Sequence, residues 1–288
     1  MNNMMAPEDR IFQKALQKKG KTAEEITALL AEKMPDLAAE IEEDRRVNKY
    51  LKDFITSDPD MLKVKDEVRL LAEVDDPVLI LGETGTGKEL LANALHGDRP
   101  EDKFVAINCA GLPEALIESE LFGHVKGAFT GATSDKTGLL QSAYGGTIFL
   151  DEIAELSAHL QAKLLRAIQE QRIRKVGADL EKGEGEIKIN CRIIGATHKD
   201  LDEFREDFLY RVGMFKLEIK ALRYRTQDIP GIVKRIIIKG RGKINHEIED
   251  IDKFCRPIME NKDKLHGNVR QLQAIVRNYQ VLGRIPKF

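Results

Sequence analysis

The spacing of hydrophobic positions changes character along the chain. Between positions 22 and 41, Ile26, Leu29, Leu30, Leu37 and Ile41 recur at helical intervals. Thr22 and Glu25 are placed as a capping box there, and Pro35 divides the stretch into two short helices. A second start signal, Ser57 with Asp60, precedes Met61, Val64, Val68 and Leu71 on one helical face, with an end near Asp75, Asp76 and Pro77. The texture then switches: residues 78–81 (Val-Leu-Ile-Leu) form a short unbroken apolar run, the mark of a strand covered on both faces. Similar runs recur at 104–107, 147–150 and 191–196, separated by helix-like stretches such as 89–95 and 156–170. This alternation predicts an α/β fold with a parallel sheet flanked by helices. From about Ile229 the strand-like runs stop and helical spacing dominates, as in Val269, Leu272, Ile275 and Val276. The expected organisation is a short charged helical segment over 1–51, an α/β domain over 52–228 and a small helical domain over 229–288.

Composition sharpens this in three respects. A chain of 288 residues, 42% of them hydrophobic, holds about two domains with real cores. Lys and Arg (46) balance Asp and Glu (48), so the whole-chain field favours neither nucleic acid nor membrane. Residues 232–288 are the exception, with 13 Lys/Arg against 6 Asp/Glu, which reads as a solvated helical face or as a phosphate-facing surface. No run reaches the roughly 20 apolar residues of a membrane span, and the first ten residues lack the apolar core of a secretory signal, so a cytoplasmic protein is expected. Cys109, Cys191 and Cys255 lie far apart with no C-x-x-C pair, which argues for reduced, buried thiols over a disulfide framework or a zinc site.

The chemistry starts where the first apolar run ends. Gly82, Glu83, Thr84, Gly85, Thr86, Gly87 and Lys88 follow that strand and open a helix at Glu89. Glycines let successive backbone N–H groups converge on phosphate oxygens, the helix N-terminus adds its dipole, and Lys88 reaches the terminal phosphates. A glycine-rich structural turn is the competing reading. Glu89 stands where the general motif carries the Ser or Thr that meets Mg²⁺. A second half of such a site is supplied by residues 146–152 (GTIFLDE): Asp151 at a strand tip would hold Mg²⁺ through water, and Glu152 would polarise the attacking water. Taken alone, that acidic pair is equally a helix cap. Between the halves, Gly127, Ala128, Phe129, Thr130, Gly131 and Ala132 form a small-residue loop carrying one aromatic, either presented to a partner or tucked into the core.

That hexapeptide, GAFTGA, resembles the signature of the AAA+ activators of sigma-54 RNA polymerase, the bacterial enhancer-binding proteins. The similarity extends through GETGTGKE at 82–89, INCAGL at 107–112, ESELFGH at 118–124, GGTIFLDEI at 145–153, LQAKLLRAIQE at 160–170, RIIGATHKDL at 192–201, FREDFLYR at 204–211 and GNVRQLQ at 267–273, covering about residues 52–282. The family also carries Glu after the phosphate-loop lysine. The resemblance implies an AAA+ P-loop NTPase with a helical lid, using ATP and Mg²⁺, assembled as a homo-oligomeric ring of six or seven subunits, and remodelling a closed promoter complex. Phe129 and Thr130 would then contact the sigma-54 factor. Asn108 is similar to the switch residue that holds Glu152. Thr197 and His198 occupy the first sensor position, with an exposed cap as the other reading of His198. Arg205 and Arg211 resemble paired arginine fingers that enter a neighbour's site, or else pair with Glu203, Glu206 and Asp207 on the surface. Arg270 matches the second sensor in the lid, or is a plain helix-surface charge.

Departures accompany the match. Leu265 and His266 replace the family's usual Trp-Pro, Thr56 replaces a usual Gly, and the connection from Leu201 to Phe204 is short, which leaves adenine contacts near Phe54 and Ile55 open. Neither a sensory domain nor a helix-turn-helix is expected within these 288 residues, so DNA binding by this chain is doubtful. Two other functions compete: a non-catalytic module that occupies sigma factor, and an AAA+ remodeller of a different client.

Overall fold

The computed structural model describes residues 46–179, 186–240 and 244–286; the helices expected between 22 and 41 lie outside them. The elements begin with α1 (Arg46–Leu51), α2 (Pro59–Ala72), β1 (Val78–Gly82), α3 (Lys88–His96), β2 (Phe104–Asn108) and α4 (Glu114–Phe122). Then come β3 (Gly123–His124), β4 (Lys136–Thr137), α5 (Leu139–Ser142), β5 (Thr147–Asp151), α6 (Ala158–Glu170), β6 (Arg172–Ile173) and β7 (Ile187–Lys188). Finally β8 (Arg192–Thr197), α7 (Glu206–Val212) and β9 (Phe215–Ile219) complete the sheet part, and α8 (Ile229–Lys239), α9 (Ile251–Glu260) and α10 (Asn268–Leu282) form the helical part.

Five strands make one parallel sheet in the order β2-β5-β8-β1-β9. Its register sets the site: Asn108 pairs with Asp151, and Asp151 with Ala196, so the carboxyl ends of β1, β2, β5 and β8 gather along one rim. That rim is where open parallel sheets bind ligands. The two faces bury separate cores. Leu121, Phe122, Leu160, Leu164 and Phe208 cover one face, while Leu51, Met61, Val68, Leu91 and Leu95 cover the other. The helical part has a third core around Val233, Phe254, Ile258, Leu265, Leu272 and Val276. Leu265, in the position of the family's Trp, is fully buried in it, while His266 is exposed.

The four expected strands are present, each displaced or extended at its end by one residue. The fifth, β9, was not foreseen. It is an edge strand whose Leu217 and Ile219 are buried while Lys216 and Glu218 are exposed, so it alternates where the interior strands run continuously apolar. The start of α2 also differs from expectation. Asp58, not Ser57, is the N-cap, accepting from the N–H groups of Asp60 (3.0 Å) and Met61 (3.2 Å). Ser57 instead donates its N–H (2.6 Å) and hydroxyl (3.1 Å) to the Asp228 carboxylate ahead of α8. Cys109 and Cys255 are buried and Cys191 only partly so, a correction to the expectation that all three are interior. Burial pushes the thiols of Cys109 and Cys191 up to about 12 and that of Cys255 to about 11.

Two short hairpins, β3–β4 and β6–β7, stand beside one another. They are tied by Val125 N–H to the Val176 carbonyl (3.1 Å) and Val176 N–H to the Gly123 carbonyl (2.9 Å). Among the described residues no helix is long and apolar enough to cross a membrane.

Candidate active site

The turn between β1 and α3 is built by glycine. Gly85 and Gly87 have φ of +79° and +114°, a region side chains avoid, and a Cβ on Gly85 would lie 2.4 Å from the Gly267 carbonyl oxygen. Among the described residues the N–H groups of Gly85, Gly87 and Lys88 meet no protein acceptor, so the loop presents donors at a helix N-terminus. Thr84, Gly85, Gly87, Lys88 and Glu89 line a cleft of about 360 Å³ whose other walls include Asn108, Asp151, Glu152 and Arg270. Two side chains of the loop are engaged within the protein. The hydroxyl of buried Thr86 donates to the Glu83 carbonyl (2.8 Å), and the Glu83 carboxylate accepts from Arg223 at 2.8 and 2.5 Å.

Lys88 is 7% exposed and donates to the Gly82 carbonyl at 2.8 Å, with Glu152 Oε1 3.5 Å from its ammonium. Glu152 sits just past β5 in the left-handed region (φ 53°, ψ 47°), which aims its carboxylate back across the rim. Its Oε2 accepts from His198 Nδ1 at 2.7 Å and from the His198 N–H at 3.3 Å. Burial and the Glu152 charge push the Asp151 carboxyl above its ordinary value, with Lys88 opposing. Asn108 donates to Asp151 Oδ2 (3.3 Å) and accepts from the Ala110 N–H (2.7 Å), so its side chain rests on Asp151 where a contact with Glu152 was expected. Thr197 is fully buried, its hydroxyl accepting from the Lys199 N–H at 3.0 Å.

The helical part meets the phosphate loop directly. Val269 N–H donates to the Gly85 carbonyl (2.9 Å), which seats Arg270 at the cleft. Asn268, completely buried at φ 51°, accepts from the Leu222 N–H (2.7 Å) and donates to Glu83 Oε2 and the Thr84 carbonyl, both at 3.1 Å. Arg225, 1% exposed, donates to the Thr86 carbonyl (3.0 Å), stacks over Phe54 and lies 3.6 Å from Asp228. Phe54 is buried against Gly87, which places its ring beneath the loop. Asn268, Arg223, Arg225 and Asp228 went unread in the sequence; the asparagine of GNVR was the available signal for the first.

The remaining expected residues lie outside this cleft. Arg205 pairs with Asp207 through two bonds of 3.1 and 2.8 Å, the surface pairing foreseen as its other reading. Arg211 takes a different course: its Nε is buried without a partner in a pocket shared with Asp75, Asp76 and Gln171. In the GAFTGA loop, Gly127 N–H donates to the Ala132 carbonyl (2.9 Å) and Ala132 N–H to the Phe129 carbonyl (3.0 Å), closing a tight turn. Ala132 is buried, while Gly127, Ala128, Thr130 and Gly131 line the open turn. Phe129 is 43% exposed, its ring edge-to-face with His124 at 4.9 Å, and His124 Nδ1 meets the Ser119 hydroxyl at 2.7 Å.

A glycine-cradled phosphate loop after the first strand, acidic residues on the adjoining rim and a helical part closing over it define an AAA+ P-loop NTPase fold. Residues 54–218 match the sigma-54 interaction domain. The transcriptional regulatory protein GlrR of Escherichia coli is 43% identical over 243 residues, 81% of this chain and 53% of that protein. The Nif-specific regulatory protein of Azotobacter vinelandii is 44% identical over 232 residues, 78% of this chain and 43% of that protein. The chain thus spans about half the length of these relatives. Among solved structures, NtrX from Brucella abortus matches at a TM-score of 0.69 with 27% identity, covering 92% of this chain and 59% of NtrX. NtrX in complex with ATP matches at 0.67 with 26% identity, over 92% and 58%. The chain belongs to the sigma-54 interaction domain family, that of sigma-54-dependent transcriptional regulators.

Proposed function

We propose that this chain hydrolyses ATP as a homo-oligomeric ring of six or seven subunits in the cytoplasm and uses the turnover to remodel the closed complex of sigma-54 RNA polymerase through its GAFTGA loop. The observation that carries the reading is the meeting of Lys88 and Glu152 at 3.5 Å inside a cleft walled by the phosphate loop and Arg270. Triphosphate oxygens would take the unpaired loop N–H groups, and Lys88 would leave Glu152 for the terminal phosphates. The residues fit a magnesium nucleotide. Among the described residues no cluster of three potential ligands forms an all-protein cage, so Asp151 would hold Mg²⁺ together with waters and phosphate oxygens. Bound there, the ion would screen phosphate charge. Water oxygen bonds to the γ-phosphorus, the bond to the β–γ bridging oxygen breaks, ADP departs, and the water proton passes to Glu152. Arg270 would reach over the phosphates, Thr197 and His198 would respond at the β8 end, and Arg205 and Arg211 would serve a neighbour's cleft.

Phe129 and Thr130 would be the contact with sigma-54, a reading supported by an aromatic left 43% exposed on a turn of small residues. The test is promoter melting by the purified protein with sigma-54 holoenzyme. Phe129→Ala is expected to keep ATP hydrolysis and lose melting, whereas melting at the unaltered rate would overturn the reading.

A further inference from the structure

The two oxygens of Glu152 are held differently. Among the described residues, Oε1 meets only the Lys88 ammonium, at 3.5 Å. Oε2 takes two donors from one residue, the His198 ring nitrogen Nδ1 at 2.7 Å and the His198 backbone N–H at 3.3 Å. An ionised carboxylate accepts and cannot donate, so this bond puts the His198 proton on Nδ1. The backbone bond comes from the end of β8 and the ring bond from the same residue, so the pair fixes both the position and the roll of the carboxylate. The carboxylate is 11% exposed while the His198 side chain is 43% exposed, so the ring approaches from the solvent side.

We propose that His198 is a positioning residue for Glu152: it immobilises Oε2 so that Oε1, once Lys88 has moved to the phosphates, is the oxygen that takes the water proton. This rests on the ATPase reading of the cleft and gives His198 a partner other than the nucleotide. The left-handed backbone at Glu152 leaves its side chain just past the end of β5, and the flanking contacts come from Lys88 on α3 and from His198 just past β8. Lys88 is required elsewhere during turnover, which makes His198 the lasting support. Groups held within fractions of an ångström of a reacting water owe much of their effect to such support.

The geometry makes a specific substitution test. An Asn amide nitrogen sits where histidine Nδ1 sits, one atom beyond Cγ, whereas the Gln amide lies further out. His198→Ala is expected to lower kcat by about 10- to 100-fold with ATP affinity changed less than about twofold. His198→Asn is expected to recover to within about threefold of the parent, and His198→Gln to remain near the Ala level. A loss of ATP affinity with kcat preserved, an unaltered His198→Ala rate, or equal rescue by Asn and Gln would overturn the proposal. Nitrogen-15 spectra of the histidine rings supply a readout that needs no turnover. The signal absent from His198→Asn identifies His198, which is expected to carry its proton on Nδ1 in the parent and to lose that preference in Glu152→Ala. A proton on Nε2 in the parent overturns the proposal even where hydrolysis is intact. A parent that hydrolyses nothing while keeping the Nδ1 proton overturns the ATPase reading and leaves the clamp standing.

Discussion

At the scale of single residues, the contacts that matter most join positions far apart in sequence. Asn268 illustrates this: one buried amide spans the Leu222 N–H on one side and Glu83 and Thr84 on the other. Asn268→Ala strands a buried donor and acceptor, and it is expected to destabilise the fold by about 2 kcal/mol in urea unfolding. An unchanged midpoint and slope would show that the amide is dispensable. Lys88, Asp151 and Glu152 were legible because each stands at a fixed offset from the end of an apolar strand, and that short-range pattern is what a sequence displays; Arg270 was reached only through the resemblance of GNVRQLQ. Arg223 and Asp228 were not legible, because their partners lie 140 and 172 residues away and nothing local marks them. Arg192 is a similar case. Read as part of a strand, it is 3% exposed and donates to the carbonyls of Leu95 (2.5 Å), Leu71 (2.7 Å) and Asp76 (3.2 Å), which closes the C-terminal ends of α3 and α2. Burial brings its guanidinium down to about 10.

At the scale of elements, the phosphate loop and the helical part act as one piece through Glu83. The hydrogen-bonded Arg223 guanidinium holds the Glu83 carboxyl below the usual carboxylate range, with burial opposing. A depressed folded-state value means that this carboxylate stabilises the fold fully above its ordinary pKa and stops doing so as pH falls through the lowered one. The stability gap between the parent and Arg223→Gln is therefore expected to be widest near neutrality and to close below about pH 4. A gap that persists undiminished to pH 3 would show that Arg223 acts through packing alone. Element legibility divides along the same physical line. Interior strands such as β1 and β5 carry an unbroken apolar run (residues 78–81 and 148–150) and announce themselves, whereas β9, with one covered face and one open edge, alternates and was missed. The hairpins β3–β4 and β6–β7, with two-residue strands, carry too little period to be seen, yet they position the GAFTGA turn.

At the scale of the molecule, the division of labour is the finding with most consequence. The cleft holds a lysine, three carboxylates and Arg270, while Arg205 is tied to Asp207 on the outside and Arg211 sits in another pocket. Among the described residues Lys88 and Arg270 are the positive charges at the cleft, and on the proposed ring reading a neighbour's Arg205 or Arg211 would add another. An arginine finger supplies about 10³- to 10⁵-fold in rate, or about 4–7 kcal/mol, in other nucleotide hydrolases. ATP turnover per protomer is thus expected to climb steeply with concentration. An equimolar mixture of Lys88→Ala and Arg205→Ala subunits is expected to recover activity that neither has alone. Turnover independent of concentration, with no recovery on mixing, would place the missing charge within one subunit. On the proposed function, the nucleotide state of the cleft governs what the exposed Phe129 turn can grasp. Capture of sigma-54 by the purified protein with ADP and aluminium fluoride tests it most directly. Retention is predicted with the analogue, and loss without nucleotide, in Lys88→Ala and in Phe129→Ala; equal retention by Phe129→Ala, or retention indifferent to the analogue, would contradict it.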